Sequence, residues 1–373
     1  MATLLSPRLM LRGFEIFVLV SLAGYGAVLL YGNNLPYFVA ALGRVHWGWV
    51  LVGLVLASMD WIGGGLRLWV ITRELHPRPS LLGMTLAGGM GAWAAYLTPA
   101  NSGAGPMTIY TMRRYGVPLP VAMTATLISF VATVVFFALA GPLAIVFGAG
   151  KSLGDYGNLV GLSLYDLFLI SLGIFGGLGV LMVLVMFFPR LVRDALHRVA
   201  AAVGRRSERV AARLARLQEG IDQAHEAVER FNTPRGWLAL GWATLLSGPS
   251  HANKLLAGYV ALRAVGIEAN FVDVLLVQTL ITFLLYFAPT PGASGIAELL
   301  SALVMSSAYV RPELTPLYTL IWRCILSYFT IGFGFLVFHG WVRHGVKGLE
   351  TETGRPVGGE EPAVLGDRAA GTP

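Results

Sequence analysis

The sequence predicts an all-α polytopic membrane protein, with about six full transmembrane helices and two opposed, broken, re-entrant hairpins. Three observations predict it. First, 55% of the 373 residues are hydrophobic and only 13% are charged, where soluble domains carry about 25% charged residues. Several apolar runs approach or exceed the ~20 residues that cross a bilayer. Second, prolines and glycines interrupt the apolar pattern twice, near residues 96–106 and 287–298. Third, the longest polar stretch, Pro189–Gly236, holds ten arginines against six acids. A basic loop of this kind sets which side of each helix faces the cytoplasm.

In chain order, Arg8 and Arg12 precede a first span at Phe14–Tyr31, which no small-x-small cleavage signature follows. Residues Asn33–His46 read as a connection. A second span, about Trp47–Ile71, carries Asp60 and Arg67 seven residues apart, on one helical face. An apolar arm, Leu81–Leu97, leads into the first break. Pro99, Gly103 and Pro106 forbid a continuous helix there, because proline removes a donor and glycine favours angles other residues avoid. Spans follow at Val121–Phe147 and Leu164–Phe188. Within Pro189–Gly236, Leu214, Leu217, Ile221, Ala224, Val228 and Phe231 recur at helical spacing, which predicts an amphipathic helix. A span at Trp237–Leu262 is interrupted by His251, Asn253 and Lys254, after Pro249. The second break gathers Pro289, Pro291, Gly292, Ser294 and Gly295, and a last span follows at Leu317–Phe338. Residues 1–345 thus read as the transmembrane domain and 346–373, rich in Gly, Glu and Pro, as a disordered cytoplasmic tail.

Charge parity decides the topology. With Pro189–Gly236 in the cytoplasm, a full crossing at Leu81–Leu97 would put Arg8, Arg12, Arg73 and Arg78 outside. A segment that dips in and returns puts them inside, in keeping with the positive-inside rule. The second hairpin then enters from the opposite face, both termini are cytoplasmic, and the two halves form a candidate inverted repeat.

Two strings carry a resemblance. The first is Thr98-Pro99…Gly103-Ala-Gly-Pro106…Tyr110…Arg113-Arg114-Tyr-Gly116-Val117. The second is Pro289-Thr-Pro291-Gly292-Ala-Ser294-Gly295-Ile-Ala-Glu298. With Arg67-Leu-Trp69 at the end of the second span, they resemble the lysylphosphatidylglycerol synthase transmembrane (flippase-like) family, from about Leu11 to Trp341. The resemblance implies movement of a lipid between leaflets of a bacterial-type inner membrane. Partners would be an anionic or aminoacylated phospholipid, or a polyprenyl-linked lipid. Many members place an arginine and an acid in the first break, where this chain has Asn101 and Ala104. The chain also ends without the aminoacyl-transferase domain of the bifunctional members, so it reads as a stand-alone membrane unit and not as an enzyme.

The substrate-binding candidates are Glu298, Arg323, Asp60, Arg67, Lys254, Asn101 and Arg113. A carboxylate at membrane depth costs ~2.5–3.5 kcal/mol on insertion scales and therefore faces a cavity or a partner. Glu298 has two readings: headgroup or proton chemistry, and capping, since Gly295 as N-cap places it at the third helical position. Arg323 is the natural partner of Glu298 or of a lipid phosphate. Asp60 and Arg67 share a face, with snorkelling as the plain reading of Arg67. Lys254 and its polar neighbours mark a cavity wall. Arg113 either sets orientation or docks an anionic headgroup. No cofactor is implied. His251 has no ligand partner at metal spacing, and nucleotide-cradling and hydrolase strings are absent from the sequence. The net charge of +7 reports topology rather than nucleic acid. Small-residue faces such as Gly173–Gly179 are compatible with homodimerisation. The competing functional class is a non-transporting scaffold that recruits a lipid-modifying enzyme through the arginine-rich helix.

Overall fold

The computed structural model describes residues 7–30, 35–144, 231–286 and 288–353, with isolated helical positions between 166 and 229. Among the described residues every regular element is helical. The chain divides into two compact units, Met1–Ile331 and Gly332–Pro373. The cores and cavities described below all belong to the first unit.

The helices are α1 (Pro7–Leu30), α2 (Leu35–Leu42), α3 (Trp47–Ala57), α4 (Met59–Thr72), α5 (Leu81–Tyr96), α6 (Ala104–Arg114) and α7 (Leu119–Ala144). After the arginine-rich loop come α8 (Pro234–Ser250), α9 (Ala252–Leu255), α10 (Ala257–Ala264), α11 (Phe271–Tyr286), α12 (Ile296–Ala308), α13 (Thr315–Arg323) and α14 (Phe329–Thr353). Among the described residues, four stretches are long and apolar enough to cross a membrane: Arg12–Leu30, Trp47–Thr72, Leu119–Ala140 and Pro312–Trp341.

Several sequence expectations need correction. The connection expected at Asn33–His46 contains α2, whose apolar run seats Ala41 in the core. The span expected at Trp237–Leu262 starts at Pro234 and is cut twice, at His251 and at Leu256, so it is not one continuous helix. Pro106 does not lie in the first break but in the opening turn of α6. Proline is accommodated there because the first-turn N–H groups have no intrahelical acceptor. The last helix runs to Thr353, into the stretch read as tail. The span Leu164–Phe188 and the amphipathic helix lie largely outside the described residues.

Local chemistry explains the element ends. The Ser80 hydroxyl accepts from the Gly83 N–H and opens α5, and Thr233 does the same for Gly236 ahead of Pro234. Small residues bring helices into backbone contact: a Cβ on Gly88 would lie 2.7 Å from the Gly64 carbonyl carbon, and one on Gly63 would lie 2.8 Å from the Ser250 α-carbon. This is the packing that apolar solvent favours, since large apolar side chains gain little by turning from lipid to protein. One core gathers α4 to α8 around Met84, Met112 and Ile128. The other gathers α10 to α13 around Val277, Leu280, Tyr318 and Trp322.

Candidate functional site

The site is built from interrupted helices. The α3–α4 and α8–α10 stretches run antiparallel. The His46 N–H donates to the Ala264 carbonyl at 2.9 Å, Gly53 faces Val260, and Gly63 faces Ser250. This register brings the kink at Ser58 opposite the break at His251–Leu256. Two hairpins, α5–α6 and α11–α12, meet the same place with their tips. A Cβ on Gly292 in the second tip would lie 2.8 Å from the Tyr96 carbonyl oxygen at the end of α5.

The tips share one sequence device. Thr98-Pro-Ala-Asn-Ser-Gly103 recurs 192 residues later as Thr290-Pro-Gly-Ala-Ser-Gly295. Each forms a single 3-10 turn whose second residue is left-handed, Ala100 at φ 49° and Gly292 at φ 57°. The third residue is left-handed as well, Asn101 at 55° and Ala293 at 53°. Each turn then opens a helix, at Ala104 and at Ile296.

Where the breaks converge, Asp60 accepts four donors. Lys254 Nζ lies 2.8 Å from Oδ1, while Asn253 Nδ2, the Thr330 hydroxyl and the Tyr96 hydroxyl lie 2.9, 3.0 and 3.1 Å from Oδ2. Asp60 stands in the first turn of α4, just after the kink at Ser58. The donors come from α5, α9 and α14, so one carboxylate ties together both halves of the unit. The Asn253 Oδ1 is buried without a donor among the described residues.

Beside this cluster lies a cavity of about 950 Å³, lined by Asp60, Arg67, Asn101, His251, Lys254 and Tyr286 on its polar side. Leu119, Met123, Leu127 and Phe130 of α7 form an apolar wall. A second, small space of about 50 Å³ separates the tips and touches Tyr96, Asn101, Lys254 and Gly292.

The second charge pair is enclosed. Arg323 Nε lies 2.9 Å from Glu298 Oε1, with the two side chains 1% and 0% exposed. The Gly295 N–H donates to Glu298 Oε2 at 2.8 Å, as the capping reading expects, and Tyr328 donates to Oε1 at 3.3 Å. Arg323 also donates to the Gly292 carbonyl at 3.3 Å and to Ser21 Oγ at 3.4 Å, and its guanidinium lies over the Phe17 and Tyr328 rings.

The structure therefore brings together Asp60, Lys254, Arg67 and Asn101 around one cavity. Glu298 and Arg323 pair with each other behind the second tip and line neither space. Arg113 is exposed at the end of α6 and also lines neither. Sequence reasoning missed Tyr96, Thr330, Thr133 and Ser247 as polar partners. Tyr96 had a signal, since it ends an apolar arm just before a break. The single hydroxyls had none.

These features define a class: a helical membrane protein whose interrupted segments meet around a charged, partly apolar cavity. Residues 15–334 match the family described as the Lysylphosphatidylglycerol synthase TM region, and the chain belongs to that family. It is similar to a UPF0104 membrane protein of Archaeoglobus fulgidus, 25% identical over 324 residues, covering 86% of this chain and 94% of that one.

Proposed function

We propose that the chain moves a phospholipid, such as lysylphosphatidylglycerol or a related lipid, between the leaflets of the inner membrane. The observation that carries this reading is the cavity's two-sided chemistry: an ionic floor at the convergence of four breaks, and a wall of exposed apolar side chains on α7. A headgroup fits the floor while acyl chains remain in lipid. Non-helical backbone at membrane depth is tolerated where it lines such a space, and paired broken segments are the arrangement used for midplane binding sites.

In this reading the two hairpins are re-entrant from opposite faces, six segments cross fully, and both termini are cytoplasmic. The antiparallel arms support it. Gly83 packs on Tyr115 and Gly91 on Thr108, so α6 returns along α5. The chain acts as a carrier and leaves the lipid chemically unchanged.

The test is leaflet exchange in liposomes reconstituted with the purified chain, read by dithionite reduction of fluorescent phospholipids. Wild type should exchange lipid, and Lys254→Met should lose at least about tenfold in rate, since an intramembrane ionisable residue marks the pathway. Equal rates for wild type, variant and empty liposomes across anionic, zwitterionic and aminoacylated lipids would sink the reading.

A further inference from the structure

Arg67 differs from every other cation in the core. Lys254 is matched by Asp60 and Arg323 by Glu298, but Arg67 has no carboxylate within 4.0 Å among the described residues. Its Nη1 is fixed by two hydroxyls, Thr133 Oγ1 at 2.6 Å and Ser247 Oγ at 3.3 Å. Its Nε is buried with no acceptor among the described residues. Among the described residues the guanidinium is held by hydroxyls alone and meets no anion. A half-buried guanidinium without a counter-charge is costly unless something negative completes it.

The surroundings say what completes it. Arg67 lines the cavity, whose polar side also offers the Thr108 and Ser129 side chains. Asp60 is already offset by Lys254, and Glu226, the other acid lining the cavity, is exposed. On the same α7 face as Thr133, Leu119, Met123 and Phe130 both line the cavity and stand exposed at its flank. A tetrahedral oxyanion matches the fork of an arginine, and an apolar flank matches chains attached to it. We infer that the Arg67 guanidinium is the anchor for the phosphodiester of a monoanionic lipid, with its acyl chains leaving along α7. The inference rests on the transport reading for its ligand class, but it concerns binding alone. Asp60 and Lys254 then meet the rest of the headgroup.

The test is native mass spectrometry of the purified full chain in detergent, titrated with phosphatidylglycerol, with diacylglycerol of the same chains, and with inorganic phosphate. Phosphatidylglycerol should bind wild type at least about tenfold more tightly than R67Q. R67K, which keeps the charge and loses the fork, should fall between them. R263Q, altered in a remote pair with Glu268, should bind as wild type does. Circular dichroism melts establish that each variant is folded, and R67K carries the comparison if R67Q does not fold. Equal binding by R67K, R67Q and wild type overturns the anchor, as does equal binding of diacylglycerol. Arg67-dependent binding of inorganic phosphate without any binding of phosphatidylglycerol overturns the lipid source. Arg67-dependent binding without leaflet exchange leaves the anchor standing and sinks transport. Exchange that ignores Arg67 does the reverse.

Discussion

The two hairpin tips have the same turn and opposite surroundings. Both read Thr-Pro-x-x-Ser-Gly, and both hold two successive left-handed residues before opening a helix. At the first tip Pro99 and Ala100 are exposed, and Asn101 borders the large cavity. At the second, Pro291 and Ala293 are buried, and the adjoining ion pair is shut off from both spaces. One backbone device thus serves two ends. Beside the first tip it leaves charges in reach of a ligand, and beside the second it builds a closed clamp. The ion pairs differ accordingly. Lys254 is 16% exposed, where Arg323 and Glu298 are essentially sealed.

Breaking the clamp should have the largest effect. Arg323→Ala leaves the Glu298 carboxylate buried and unpaired, and removal of one partner of a buried pair costs about 3–5 kcal/mol. The expected result is a large fall in the thermal unfolding midpoint in detergent, with loss of the monodisperse peak. A melt unchanged from wild type would mean that the clamp does not hold the second tip. Glu298→Gln should be milder, because its single amide oxygen can still accept from the Gly295 N–H or from Arg323 Nε, though not from both.

Opening the site pair should cost less stability and more function. In Lys254→Met, Asp60 keeps Tyr96, Asn253 and Thr330 as donors. Asp60 also loses its cation, but three donors remain to it against two for Glu298, and Lys254 is partly exposed where Arg323 is sealed, so the penalty of an uncompensated buried charge is smaller here. The melt should therefore shift less than for Arg323→Ala, while lipid exchange falls further. A Lys254→Met protein that melts as low as Arg323→Ala would erase the distinction between site and clamp.

Much of this contrast was legible in the sequence, and the reasons differ by residue. Proline and glycine act on their own backbone, so the breaks at Pro99 and Pro291 could be read locally. The Glu298 cap could be read too, because it depends on a spacing of three residues from Gly295. Pairing could not. Asp60 and Lys254 are equally plausible partners for many groups until α4 and α9 are set antiparallel, and that register depends on close glycine packing spread over both stretches. The short interruption at His251–Leu256 was hidden for a related reason. Its polar side chains were visible, but an isolated proline near a helix end does not say whether the helix resumes. The kink at Ser58 and the π-helical turn Cys324–Tyr328 carry no proline or glycine at all.

The smallest expected effects come from exchanging the one residue by which the two turns differ at their second position. Gly292 and Ala100 have nearly the same angles, φ 57° and ψ 24° against φ 49° and ψ 33°. An L-residue in this region costs roughly 1–2 kcal/mol relative to its right-handed form. Gly292→Ala would add that cost and push a methyl to 2.8 Å from the Tyr96 carbonyl oxygen and 2.9 Å from the Phe17 ring. The tips would have to separate, so the midpoint should drop and exchange should slow. Ala100→Gly removes the same cost at an exposed position, but it also loosens the unfolded chain by about 0.4–1 kcal/mol. The two terms oppose each other, and the net change should stay within about 1 kcal/mol. Paired melts of the two variants measure the asymmetry directly. If Ala100→Gly lowers the midpoint as far as Gly292→Ala does, the first tip is as tightly held as the second, and the contrast between an accessible tip and a buried one fails.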